Sequence, residues 1–417
     1  MVKTKLVWAW GLLFLILILL IPLTGCNFFK SAESLAAPAE ELDTRLVKAN
    51  NILGFNIFHK LQTTDDADNI FISPSSILTA LAMTYNGAEG ETRSAMEAAL
   101  QLEGMSRKDV NEAFADLLTI LQNPDPDVEL AVANSLWSRK GIEFNKDFIE
   151  RSREYFKAEI ESLDFDHPGS ADIINSWVKE QTRNTIEKIV EPPINPDTIL
   201  FLINAIYFKG EWSEQFDPEQ TREIPFTLPD GSITEHPVMM QKNDYRYLES
   251  DLFQAVSLPY GQNERISMYI FLPAEDVGLD GLYKELDAET WTVWTGSFTS
   301  REGEVGLPRF KFEYETSLNE TLKALGMENA FDENIADFSG MHPIPPRLYI
   351  SEVKHKSFID VNEEGTEAAA VTSVEVEVTS APETEPFRII VDRPFFFAIA
   401  DSMTGSILFM GSVTDPR

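Results

Sequence analysis

Histidine, cysteine and serine are where catalytic chemistry usually begins, and in this chain their spacing offers little of it. The five histidines, His59, His167, His236, His342 and His355, stand far apart, with no HExxH pair and no spacing suited to a zinc site. No GxSxG nucleophile elbow, no Walker loop and no GxGxxG opening a helix after a strand occurs. The single cysteine, Cys26, closes an apolar leader and lies outside any cluster. A hydrolase therefore has little support, no metal or cofactor is expected, and the chain is not expected to be an enzyme.

One segment can take part in chemistry as a target. When every second residue from Thr366 is taken, Thr366, Ala368, Ala370, Thr372, Val374, Val376 and Val378 form a face of small or apolar side chains. The opposite face, with Glu367, Ala369, Val371, Ser373, Glu375, Glu377 and Thr379, turns toward charge. This is a strand's period of two with one buriable face. It runs into Ser380-Ala-Pro-Glu-Thr-Glu-Pro386, the composition of an exposed loop that a protease could enter. By periodicity alone the segment is an ordinary edge strand. Three successive alanines, however, favour helix over strand, and a face of small side chains suits insertion between strands already in place. From Ser357 to Phe387 there is no Lys or Arg, so a trypsin-like enzyme, which needs a basic residue before the cut, is poorly served. Val374, Val376, Val378 and Thr379 suit small-pocket elastase-like or broad subtilisin-like enzymes.

The rest of the chain must hold that segment. With 417 residues, 43% hydrophobic content and 28 Phe, it can build a large core, and no long Gly/Ser or Pro tract divides it after residue 42. Lys3 and Lys5 precede an apolar run from Leu6 to Leu23 that ends in Leu-Thr-Gly-Cys26. Small residues just before the cysteine resemble a bacterial-type lipobox, in which Cys26 becomes the lipidated N-terminus. Residues 1–26 are accordingly read as signal peptide, 27–41 as a flexible tether and 42–417 as the folded domain. The domain is expected to be extracytoplasmic, anchored to the cell envelope through lipid on Cys26. A formal net charge of −34 and the lack of a Lys/Arg cluster disfavour nucleic acid and polyanionic cofactors.

Periodicity predicts helices over 42–61, 77–83, 92–100, 108–121, 145–156, 171–190 and 318–325. It predicts strands over 129–138 and 348–362, a doubly buried central strand over 200–212, and short strands from 221 to 273. Two apolar strands flank a turn at 401–405. The mixture implies an α+β domain on a large, mostly antiparallel sheet.

Across residues 42–417 the chain resembles a serpin. Asn362-Glu-Glu-Gly-Thr-Glu-Ala-Ala-Ala370 is similar to the serpin hinge, and Asp392-Arg-Pro-Phe-Phe-Phe397 with Ile407-Leu-Phe-Met-Gly411 to the C-terminal signature. Asn69–Ser76, Asn204–Trp212 and Leu307-Pro-Arg-Phe310 fit in order. The resemblance implies a metastable fold with a main sheet, two further sheets, surrounding helices and an exposed reactive loop. It also implies a covalent complex with a serine protease, followed by insertion of the cut loop into the main sheet. Counting from the hinge (Glu363, Gly365, Thr366, Ala368, Ala369, Ala370) puts the scissile bond at Thr379-Ser380, next to Val378. By the same resemblance Ser73, Ser76, Asn204 and His355 form a polar cluster beneath the centre of the main sheet. Glu363 and Arg309 form an ion pair near the insertion point, with Trp212 close by. The competing expectation is a non-inhibitory surface lipoprotein of the same fold with a binding or scaffold role.

Overall fold

The computed structural model describes residues 42–65, 67–122, 124–366 and 385–417. The leader, the tether and Cys26 lie outside these residues, as do Ala368, Ala369, Ala370, Val378, Thr379 and Ser380.

Helix α1 (Thr44–Thr64) starts at Asp43, whose carboxylate accepts the Arg45 N–H. Strand β1 (Ile70–Ile72) leads to Ser73, whose hydroxyl accepts the Ser76 N–H and, with Pro74 in the first turn, starts α2 (Pro74–Tyr85). Every residue of α2 is buried, as befits a helix apolar nearly all round. Next come α3 (Gly90–Ala99), α4 (Arg107–Gln122), β2 (Val128–Arg139), α5 (Lys146–Phe156), β3 (Glu159–Leu163), α6 (Ser170–Gln181) and β4 (Leu200–Glu211). Strands β5 (Arg222–Thr227), β6 (Ile233–Glu249), β7 (Phe253–Tyr260) and β8 (Ile266–Pro273) follow. Two short helices, α7 (Gly278–Glu285) and α8 (Ala288–Gly296), precede β9 (Thr299–Pro308) and β10 (Phe310–Ser317). The chain ends with β11 (Glu352–Asn362), β12 (Gly365–Thr366), β13 (Phe387–Ile390), β14 (Phe395–Asp401) and β15 (Ile407–Val413).

Two sheets result. A six-stranded sheet runs β10-β11-β12-β4-β2-β3, with β11 also paired directly to β4. The others form a nine-stranded sheet, β1-β15-β14-β8-β7-β6-β9-β13, with β5 beside β6. The two further sheets implied by the resemblance are thus joined in one ladder through the long β6, which pairs with β5 over residues 233–238, with β9 over 238–247 and with β7 over 246–249. Phe71, Phe397 and Phe409 stack in the core with ring centroids 5.1–5.6 Å apart.

The helix expected over 171–190 ends at Gln181, because Arg183 and Asn184 adopt positive φ (53° and 67°) and the Asn184 N–H closes back on the Lys179 carbonyl. The apolar residues that continued the helical pattern, Ile186, Ile189 and Val190, are buried all the same. They belong to a connector that packs with α6 on Phe201, Ile203 and Ala205 of β4 and on Phe358 of β11. Asn175 of α6 holds it: its carbonyl accepts the N–H groups of Ile189 and Val190 at 2.9 Å each, and its amide donates to the Val190 carbonyl at 2.8 Å. Lys356 of β11 donates to the Lys188 carbonyl at 2.9 Å, so the connector grips both strands. The helix expected over 318–325 is present from Asn319, passing into a π-type turn at Lys323, and it kinks just past its expected end, at Gly326 with φ 102°.

Replacing Asn175 by Ala strands three buried main-chain groups of the connector and should cost about 2–3 kcal/mol. A urea midpoint equal to the parent's, with unchanged amide protection at 189 and 190, would contradict this.

Candidate functional site at the seam of the six-stranded sheet

β4 and β11 are neighbours along only part of their length. From Glu352 opposite Phe201 to Ser357 opposite Ile206 they pair directly, in parallel, over six residue pairs. Above that level they diverge, and β12 enters the gap, antiparallel to both: Thr366 faces Val361 and Gly210, and Gly365 faces Asn362 and Glu211. Gly365 and Thr366, which the resemblance assigns to a hinge, are thus a wedge at the top of a closed seam.

The wedge needs the residues it has. Gly365 sits at φ 152°, and a Cβ there would fall 2.1 Å from the Gly210 carbonyl oxygen. Thr366 is 1% exposed, and its hydroxyl meets that of Tyr260 at 2.8 Å. Burial pushes the Tyr260 hydroxyl well above its usual range and outweighs the Thr366 hydrogen bond, so it stays protonated. Trp212 stacks on the Tyr260 ring (4.3 Å, 12°) and donates its indole N–H to the Asn362 carbonyl at 2.9 Å. The main-chain N–H groups of Trp212 and Phe216 donate to the carbonyls of Glu364 and Glu363.

Glu363 is 5% exposed. Both its oxygens accept from Arg309 Nε at 2.9 Å, and Oε1 accepts also from the Thr221 hydroxyl. Burial alone would raise this carboxyl, but the hydrogen bonds from Arg309 and Thr221 hold it below the usual range. The turn between β11 and β12 is therefore fixed from three sides: by Arg309 at the start of β10, by Thr221 beside β5 and by Trp212 at the end of β4.

Below the wedge, under the closed part of the seam, lies a polar cluster. His355 and Asn204 are register partners, and His355 Nδ1 meets Asn204 Oδ1 at 2.6 Å. An amide oxygen can only accept, so Nδ1 carries the proton. Nε2 then accepts the Ser73 N–H at 3.3 Å. The Asn204 amide donates to Asn134 Oδ1 of β2 at 2.6 Å and to the Ser76 hydroxyl. Ser73 Oγ donates to the Leu408 carbonyl at 2.7 Å, which ties α2 to β15. Complete burial drives the His355 pKa from 6.5 to about 3, so the ring is neutral.

Ser73, Ser76, Asn204 and His355 thus meet at one place, and Glu363, Gly365, Thr366, Arg309 and Trp212 at another, about one strand-half above. Asn134, Thr221 and Tyr260 escaped the sequence reading. Each is an ordinary strand or loop residue whose role comes from register across strands far apart in sequence.

The geometry is that of a strand slot with its upper end occupied, and the family follows. The chain belongs to the serpin family: the model for Serpin (serine protease inhibitor) matches residues 48–416. It is accordingly not an enzyme. Similar curated proteins include Serpin B8 of Homo sapiens, 38% identical over 377 residues, with 89% of this chain and 99% of that protein covered. The leukocyte elastase inhibitor of Equus caballus is 37% identical over 383 residues, covering 89% and 100%. Among solved structures, the thermophilic serpin Tengpin in its native state superposes with a TM-score of 0.82 at 34% identity, covering 90% of this chain and 95% of that one.

The histidine makes a pH prediction. Its folded pKa lies below the unfolded value, so between about pH 6.5 and 3 the unfolded chain binds the extra proton. The stability it contributes is complete above pH 6.5 and is lost on acidification, by about 2 kcal/mol at pH 5. Urea midpoints of the parent should fall from pH 7 to pH 5 more steeply than those of His355→Gln; equal slopes would show that this ring does not titrate as described.

Proposed function

We propose that this chain inhibits serine proteases as a suicide substrate, cleaved at or beside Thr379-Ser380. The observation that carries the reading is the wedge: two hinge residues stand in a seam whose remaining length is closed by direct β4–β11 pairing.

Attack of a protease serine on the Thr379 carbonyl would form an ester and release Ser380 as a new N-terminus. Freed at that end, the chain after Thr366 could extend β12 downward. Carrying the β12 register on, residues 367–369 would fill the part already open, and from Ala370, opposite Ile206 and Ser357, each residue would displace a β4–β11 pair. One ladder is lost and two are gained. At about 1 kcal/mol net per hydrogen bond, a strand of about a dozen residues yields on the order of 10 kcal/mol. That rivals a typical domain's whole stability of roughly 5–15 kcal/mol, so the closed form is held by a barrier rather than by equilibrium. A protease dragged along with its acyl group would lose the alignment of its triad and oxyanion hole. Deacylation needs both, so the ester would persist.

The absence of Lys and Arg before the bond and the likeness to a leukocyte elastase inhibitor both support an elastase-like or subtilisin-like target. Cys26, read as a lipidated N-terminus, would hold the inhibitor outside the cytoplasmic membrane.

Incubation with an elastase, a subtilisin and trypsin, followed by a denaturing gel and sequencing of the released fragment, tests both points. The expected result is a stable adduct with elastase or subtilisin and a fragment beginning at Ser380, within one or two residues. Rapid trapping of trypsin alone would sink the specificity, and no adduct with any of the three would favour a non-inhibitory surface role. Thr366→Arg, whose unpaired charge cannot be buried in the wedge without a cost of several kcal/mol, should expel β12 from the seam, oppose its re-entry and turn the inhibitor into a substrate that is cut without trapping.

A further inference from the structure

The upper half of β2 is an edge. Its partner β3 begins only opposite Ser135, so among the described residues β2 has β4 alone beside it in the sheet from Val128 to Asn134. This stretch stands partly level with the wedge, since Val128 faces the same Gly210 that faces Thr366. A strand entering the seam pushes on β4, and β4 has two sides that could give way.

The upper ends of β2 and β4 converge on the β7–β8 turn. Asp125, in the tight turn leading into β2, is 6% exposed. Its carboxylate accepts the main-chain N–H groups of Asp127 (2.9 Å), Gln262 (3.2 Å) and Asn263 (2.7 Å). Gly261 admits it: φ there is +70°, and a Cβ would lie 2.3 Å from the carboxylate. Gln262 Nε2 donates to Asp127 Oδ2 at 2.9 Å. β4 joins the same turn, as the Gly261 N–H donates to the Glu211 carbonyl, the Ser213 N–H to the Pro259 carbonyl, and the Ser213 hydroxyl to the Gly261 carbonyl. The Glu211 N–H in turn donates to the Asp127 carbonyl. Hydrogen bonds to a buried carboxylate are charge-assisted and stronger than neutral ones.

We infer that Asp125 is a positioning residue for loop insertion. It fastens the upper ends of β2 and β4 to the β7–β8 turn as one block, so that the sheet yields at the β4–β11 seam and not between β2 and β4. The inference rests on the insertion mechanism proposed above, but its structural half, the immobilisation of upper β2, can be read without any protease.

The experiment compares the full chain with Asp125→Ala and with Gln262→Ala, which removes a single exposed bond of the clasp. Native-state hydrogen exchange is read at amides 128–134. The rate of loop attack and the number of inhibitor molecules consumed per protease trapped are read with whichever protease the parent traps. Asp125→Ala is expected to exchange faster at 128–134, to be attacked at the parental rate, and to insert about fivefold more slowly, equivalent to about 1 kcal/mol on the barrier. That slowing appears as a correspondingly higher consumption per trapped protease. Gln262→Ala should shift both readouts in the same direction by less, and it carries the test alone if Asp125→Ala does not fold. Faster exchange at 128–134 with parental consumption overturns the inference, as does a loss of protection spread evenly over both sheets. If the parent traps no protease the proposed function has failed, and unchanged exchange at 128–134 in the variants would separately overturn the clasp.

Discussion

Six residue pairs between β4 and β11 hold the main sheet shut, and the proposed mechanism turns on replacing this ladder. It is parallel, and parallel ladders are slightly weaker per residue than antiparallel ones. The strand that starts to replace it, β12, runs antiparallel to both neighbours, so each step of insertion would trade one slanted ladder for two perpendicular ones. The trade is downhill in sum but uphill at first, because a β4–β11 pair has to open before its two successors form. On that mechanism the sheet would store free energy without straining any bond, the reserve lying in hydrogen bonds not yet made.

What keeps the seam closed differs on its two faces. On the inner face the Asn204–His355 pair draws β4, β11, β2 and α2 together through Asn134, Ser73 and Ser76. This network accepts only a neutral imidazole with its proton on Nδ1, since a second proton would set a donor against the Ser73 N–H. On the outer face the connector after α6 covers the seam with apolar contacts to β4 and Phe358 and a hydrogen bond from Lys356. The inner contact is directional and the outer one mainly hydrophobic, so both kinds of interaction have to yield for the strands to part.

Much of this was legible in the sequence wherever local pattern and tertiary role coincide. β4 reads as a nearly continuous apolar run, interrupted at Asn204, because the sheet is covered on both faces. The connector misled for an equally physical reason. Ile186, Ile189 and Val190 keep a helical spacing, yet Arg183 and Asn184 turn the backbone left-handed, and Asn175 supplies the hydrogen bonds a helix would have supplied. Tyr260, Asn134, Thr221 and Asp125 carry no local signal, because each acts on a partner that only the register of distant strands brings near. Gly365 was legible as a hinge residue, whereas its contact with the Gly210 carbonyl, which forbids any side chain, was not.

Register also gives the composition of the loop a reason beyond small size. The inward face from Thr366 to Val378 is alanine and valine apart from two hydroxyls, Thr366 and Thr372. Thr366 already sits where the nine-stranded sheet presents the Tyr260 hydroxyl. Carried down the seam in the same register, Thr372 would arrive between Asn204 and His355, the place where opening β4 from β11 leaves a buried amide oxygen and an imidazole N–H without each other. Each unpaired buried group costs about 1–3 kcal/mol, so an alanine there would leave that cost standing, whereas a threonine can both donate and accept. The alanines on either side, Ala368 and Ala370, would come opposite Phe208 and Ile206 of β4, where a small apolar side chain meets an apolar wall and a larger one would crowd it. On the proposed mechanism, the pattern that first reads as a plain strand would complement a slot that is still closed, at Thr366, Ala368, Ala370 and Thr372.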